Sequence, residues 1–121
     1  MHNAPMPFKS SDSLLPLTPM SFEILLALLD GEQHGYAILQ AVEARLGGKL
    51  PLRTGTMYRA LARLMDEGLI ERADGAQDED PRRRNYRISA LGRSTAKAEA
   101  RRLADQVDAA RAHRLLPESR R

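Results

Sequence analysis

TGTMYRALARLMDEGLIER, Thr54 to Arg72, is the stretch on which the reading of the whole chain turns. Met57, Leu61, Leu64 and Met65 recur at helical spacing and so turn one face toward a core. Thr56, Arg59, Ala60 and Arg63 share the other face, small or cationic and again three and four apart. Thr54 is a capping hydroxyl, and Gly55 leaves the first turn without bulk, so a ligand backbone can come close. Gly68 stands where a left-handed residue ends a helix, and Leu69-Ile70 opens a strand. Apolar residues behind and a thin polar front suit a helix that enters a nucleic-acid groove. An ordinary amphipathic helix has the same periodicity, so the neighbouring stretches decide between the two.

Downstream, Leu69 to Asp74 is a first strand and Gly75 to Pro81 a turn-rich loop. A second strand runs from Arg83 to Ser89, where Asn85, Arg87 and Ser89 alternate with Tyr86 and Ile88 at the period of a half-buried strand. Two strands joined by a polar loop directly after a helix make a hairpin whose loop is a wing. Ser89-Ala90 starts a last helix expected to run to about His113. Along it Ala96, Ala100, Leu103, Val107 and Ala110 form a narrow seam, which must be buried on something. An alanine-rich seam permits close approach, and an identical helix is its simplest partner.

Upstream, Thr18-Pro19 offers a capping hydroxyl and a proline at the first helical position, and Phe22 to Leu29 is nearly all apolar, so this helix is expected to be buried on most sides. Asp30-Gly31 ends it. His34-Gly35-Tyr36 opens a second helix, with Leu39, Val42 and Leu46 on its core edge and Gly47-Gly48 at its end. Lys49 to Leu52 is a short connector. Residues 1–17, with Pro5, Pro7 and Pro16, are expected to be a loose arm whose Leu14, Leu15 and Leu17 lie on a neighbouring surface. The fold class is therefore mainly α with a two-stranded β wing: a winged helix-turn-helix over residues 18–89, a C-terminal dimerisation helix over 90–116, and a disordered tail over 117–121.

Composition agrees and excludes much else. A chain of 121 residues is one small domain. Without cysteine there is no disulfide and no thiolate metal site, as expected of a reducing compartment. No apolar run is long enough for a membrane span and no export signal is evident, so the cytoplasm is the expected location. The net charge of +3 hides a split: residues 1–81 carry seven Lys/Arg against twelve Asp/Glu, and residues 82–121 twelve against four. A surface facing a polyanion produces such an asymmetry. No Gly-rich phosphate loop, carboxylate pair or nucleophile–base pattern supports catalysis, and no cofactor or metal is expected. His34 has no second ligand at helical spacing, so its expected role is structural.

Gly55-Thr56-Met57-Tyr58-Arg59-Ala60-Leu61, Glu67-Gly68-Leu69-Ile70, His34-Gly35-Tyr36, Leu25 to Leu28, and Arg84-Asn85-Tyr86-Arg87-Ile88-Ser89 followed by Leu91-Gly92 together resemble a PadR-family transcriptional regulator. The resemblance covers roughly Leu17 to Arg102. It implies a winged-helix repressor, and the single terminal helix is similar to that of the short subgroup, where this helix dimerises. Some members bind planar drugs between tryptophans at the dimer interface, and this chain has no Trp.

The expected function is a dimeric, sequence-specific repressor acting by promoter occupancy on a near-palindromic operator in double-stranded DNA. Two alternatives remain: an effector-sensing regulator with a small-molecule site at the dimer interface, and a protein-interaction module that has lost DNA affinity. Arg59 and Arg63 are the candidates for base edges or phosphates. Thr54 and Thr56 sit where a helix N-terminus favours phosphate, although Thr54 also reads as a simple cap. Tyr58 reads equally as a core ring and as a phosphate contact. Arg82, Arg83 and Arg84 are the densest basic run and are expected along the backbone or in the minor groove. Asp78, Glu79 and Asp80 precede them and leave three readings open: turned from the duplex, paired with the arginines, or limiting non-specific affinity.

Overall fold

The computed structural model describes residues 12–47, 54–73 and 80–118. Helix α1 is Pro19–Leu28, strand β1 Gln33–His34, helix α2 Gly35–Leu46, helix α3 Thr54–Asp66, strands β2 and β3 Ile70–Arg72 and Asn85–Ile88, and helix α4 Ala90–Ala112. The connector Lys49 to Leu52, the loop from Asp74 to Glu79 and residues 1–11 lie outside the described residues, and with them the expectations placed there.

The helix starts follow their local chemistry. Thr18 Oγ1 accepts from the Ser21 amide at 3.1 Å with Pro19 behind it, and Ser89 Oγ accepts from the Gly92 amide at 2.9 Å. Gly47 closes α2 in the left-handed conformation. After α3, Gly68 takes φ 77°, and the Leu69 amide returns to the Leu64 carbonyl at 2.9 Å.

The core gathers Ile24, Leu25 and Leu28 of α1, Ile38 and Val42 of α2, Met57, Leu61 and Leu64 of α3, and Leu69, Ile70 and Tyr86 of the sheet. Each helix contributes one stripe, and α1, α2 and α3 pack on one another. Burying a Leu or Ile side chain is worth about 1.5–3 kcal/mol, so the direction in which α3 faces is firmly determined.

Four details differ from the sequence expectation. The sheet has three strands in the order β1-β3-β2, because Gln33 and His34 pair antiparallel with Tyr86 and Asn85 on the far edge of the wing hairpin. The hairpin strands are shorter than expected, leaving Arg82, Arg83 and Arg84 in the turn before β3. Helix α1 is not covered all round: Phe22 and Leu26 are half-buried, and Leu29, which follows its last turn, is exposed. Leu14, Leu15 and Leu17 pack on this chain's own core rather than on a neighbouring surface.

Helix α4 docks by its first turns only. Gly92, Thr95, Ala96 and Glu99 are buried, and none of the described residues beyond Glu99 is. Glu99 accepts two hydrogen bonds from Arg102, both 2.8 Å, and one from the Leu17 amide. The Arg102 hydrogen bonds hold its carboxyl below the usual range, against the opposing effect of burial. A carboxyl depressed in the folded state contributes stability above its unfolded pKa, and that contribution is lost as pH falls through the folded value. Glu99→Ala is expected to cost about 1–3 kcal/mol in urea denaturation at pH 7, since it strands the Leu17 amide, and the difference from wild type should shrink in acid. An equal difference at pH 7 and pH 3 would contradict this assignment.

Candidate nucleic-acid interface

Core packing fixes the outward side of α3. With Met57, Leu61 and Leu64 fully buried, Gly55, Thr56, Arg59, Ala62, Arg63 and Asp66 are exposed. At about 100° per residue the direction opposite the core runs through Gly55, Arg59 and Asp66, with Arg63 and Ala62 on either side. Arg59 folds back over the helix start: its Nη2 lies 3.4 Å from Thr56 Oγ1, and its Nη1 lies 3.4 Å from where a side chain on Gly55 would begin. Arg63 leans along the helix toward Glu67, 3.6 Å away, with its side chain two-thirds exposed.

Two expectations for this face change. Ala60 is half-buried and packs against the core, lining a groove with Thr18 and with Pro19, Met20 and Ser21 of α1. The small residue open to solvent is Ala62, on the other flank of Arg59. The Tyr58 ring packs on the core, and its hydroxyl is buried with no hydrogen-bond partner among the described residues. Burial raises its pKa, and the group is not positioned to meet a phosphate. Thr54 is the first residue of α3, and its side chain lies outside the described residues.

The basic run forms the second part of the surface. Its backbone is fastened to the start of α2: the Gly35 amide donates to the Arg84 carbonyl at 3.1 Å and the Tyr36 amide to the Arg82 carbonyl at 3.2 Å. A β-carbon on Gly35 would lie 2.2 Å from the Pro81 carbonyl oxygen, so glycine is required by this close approach. His34 Nδ1 lies 3.3 Å from the Arg83 carbonyl, which fits the structural role expected of it. Two of the amides that the start of α2 leaves free are thus occupied by protein carbonyls.

Arg82 and Arg83 project outward, their side chains 63% and 71% exposed, whereas Arg84 is half-buried and hydrogen-bonds the Tyr86 hydroxyl. Tyr36, 54% exposed, stands beside Arg82 and Arg83; in the sequence it reads only as part of a helix start, and the adjacent obligatory glycine is the signal that this start lies against the basic turn. Of the acidic stretch, Asp78 and Glu79 lie outside the described residues. Asp80 pairs with the arginines: its Oδ1 accepts from the Arg82 amide and Nε at 3.0 and 3.1 Å, and its Oδ2 from Arg82 Nη2 at 2.9 Å. Arg83 Nη2 is 3.5 Å from the same oxygen. The Arg82 hydrogen bonds, side chain first and backbone second, hold the carboxyl down to about 2.

Of the expected dimer seam, Ala96 is covered by its own chain, Ala100 and Val107 are exposed, and Leu103 and Ala110 are half-buried. Ala96 and Ala100 line a shallow, mostly apolar groove with Phe22 and Leu26 of α1 and Leu29 just after it, and Arg93 and Lys97 of α4 also border it. Among the described residues no group of three His, Cys, Asp or Glu could hold a metal ion, and no helix is long and apolar enough to cross a membrane.

Residues 24–98 match the sequence model of the transcriptional regulator PadR-like family. An uncharacterized protein of Lysinibacillus sphaericus is 30% identical over 71 residues, 59% of this chain; the match spans 65% of that relative's length. Among solved structures, a transcriptional regulator from Clostridium thermocellum is similar at TM-score 0.64 and 26% identity, over 77% of this chain and 87% of that one. Bacillus subtilis PadR, solved in complex with operator DNA, is similar at TM-score 0.56 and 25% identity, over 69% of this chain and 46% of that one.

Proposed function

Because the chain belongs to the transcriptional regulator PadR-like family, we propose that it is a dimeric, sequence-specific DNA-binding protein that represses by occupying a promoter. The observation that carries this reading is the outward face of α3. Arg59 and Arg63 stand there among the slight side chains of Gly55, Thr56 and Ala62, with Asp66 at the C-terminal end of the face, on a helix whose rotation the core fixes. Arginine on such a face reaches guanine edges in the major groove, and the exposed Arg82 and Arg83 suit the neighbouring phosphates. The complex of the Bacillus subtilis relative with operator DNA supports the same use of the fold here. Residues 18–89 would form the DNA-reading domain. The test is binding of the purified protein to its own upstream DNA against random duplex, over a range of salt. A preference for the upstream DNA, weakening as salt rises, is the expected result; no binding to either at low salt would refute the proposal.

Dimerisation is assigned to α4 and the adjoining flank of α1. Phe22, Leu26 and Leu29 leave an apolar strip beside Ala100, and Val107 continues it along the undocked half of α4. Unpaired charge inside an apolar seam costs several times thermal energy. Leu103→Asp with Val107→Asp should therefore give a monomer by analytical ultracentrifugation, with its helical content kept, since neither residue is buried in this chain's core. An unchanged dimer would sink the assignment. The same groove is the natural place for a small effector, the second reading of this surface. Two recognition helices related by a two-fold axis would face half-sites about one helical turn apart, hence a near-palindromic operator.

A further inference from the structure

The carboxylate of Asp80 is bound to Arg82 in the way a phosphodiester would be, with two oxygens facing a guanidinium fork. Its second oxygen also lies toward Arg83. The turn is rigid where this happens, because the Arg82 amide donates to Asp80 Oδ1 two residues back, and the Arg82 and Arg84 carbonyls are held by α2. The two arginines that project most from the basic turn are thus occupied by a carboxylate from their own chain. We infer that Asp80 is an internal competitor for backbone phosphate, a residue that sets how strongly this turn engages DNA; the inference rests on the DNA-binding reading above.

For a phosphate to take the guanidinium fork, the carboxylate must leave it. The competitor is permanently charged at any pH of interest, its carboxyl being held down to about 2. The three residues together present a net charge of one rather than two, so fewer counterions are released when DNA arrives. Exposed ion pairs are individually weak, and removing two of them should tighten binding about 3- to 10-fold. Freeing one unit of positive charge should also steepen the logarithmic salt dependence by about 0.9.

Asp80→Asn removes the charge and keeps an amide oxygen able to accept from the Arg82 amide, so the turn persists; Asp80→Ser does the same with a hydroxyl. Fluorescence anisotropy of a labelled random duplex would be measured for wild type, both single variants, Arg82→Ala with Arg83→Ala, and the combination of that pair with Asp80→Asn. The inference expects tighter and more salt-sensitive binding by both Asp80 variants. It also expects weaker, less salt-sensitive binding by the arginine pair, and no gain from Asp80→Asn on top of that pair. Unchanged or weaker binding by both Asp80 variants would overturn it. A gain that persists without the arginines would also overturn it, by showing a general charge effect. If no protein binds duplex even at low salt, the DNA-binding reading itself falls, and the inference with it.

Discussion

Gly92→Ala is expected to cost about 3 kcal/mol or more, although helix propensity alone predicts a gain of about 1 kcal/mol for the same change. Gly92 lies in the first turn of α4, where a β-carbon would stand 2.0 Å from the Leu69 carbonyl oxygen and 2.8 Å from Ile88 Cγ1. The carbonyl cannot simply retreat, because it accepts from the Ser89 amide at 3.0 Å. Ser89 Oγ in turn donates to the Gly68 carbonyl at 2.6 Å and caps the Gly92 amide. Moving α4 outward to admit one methyl group would therefore break the joint between the end of α3 and the start of α4. Thermal unfolding followed by circular dichroism should show a loss upward of roughly 10 °C. A melting temperature equal to wild type or above it would mean that propensity decides at this position and that the close packing is loose.

The same joint shows why parts of this fold are legible in the sequence. Thr18-Pro19, Gly68 and the capping bond of Ser89 to the Gly92 amide act within their own turns, so these roles follow from immediate neighbours. The rotation of α3 is equally local, since three large apolar residues at helical spacing leave it one stable orientation. What escaped the sequence depends on contacts between distant segments. A strand of two residues, Gln33–His34, has no period to detect and exists only because β3 lies beside it. Ala60 and Ala62 are chemically identical, and only the approach of α1 to one flank of α3 makes the first half-buried and the second exposed. The charges of Asp80, Arg82 and Arg83 could be counted in the sequence, but their pairing required the turn that brings them together.

Arg59→Ala and Arg63→Ala are expected to separate base reading from phosphate contact, and Ala62→Glu to abolish docking altogether. An arginine that reaches both acceptors of a guanine contributes about 1–3 kcal/mol of discrimination against other bases. Its loss would show as indifference at one operator position, measured with single-base variants of the operator. An arginine that touches only phosphate would lower affinity by a similar factor for every sequence. Arg59 points most directly away from the core and has only a 3.4 Å contact to Thr56 to give up, so the larger discrimination is expected from it. Arg63 must first leave Glu67, an exposed pair whose loss costs little, about 0–1 kcal/mol. Ala62 lies beside Arg59 with no packing role, so a carboxylate there leaves the fold intact while placing bulk and negative charge against the duplex. Like charges brought together at an interface cost several kcal/mol, which predicts at least about a hundredfold loss of affinity. Ala60→Glu is a poor substitute for this test, because the half-buried Ala60 would disturb the packing of α1 on α3 as well. If Ala62→Glu folds normally and binds operator as wild type does, the face of α3 assigned to DNA is the wrong one. A uniform drop for both arginine variants, with every base variant ranked as before, would leave the face in place and reduce its arginines to phosphate contacts.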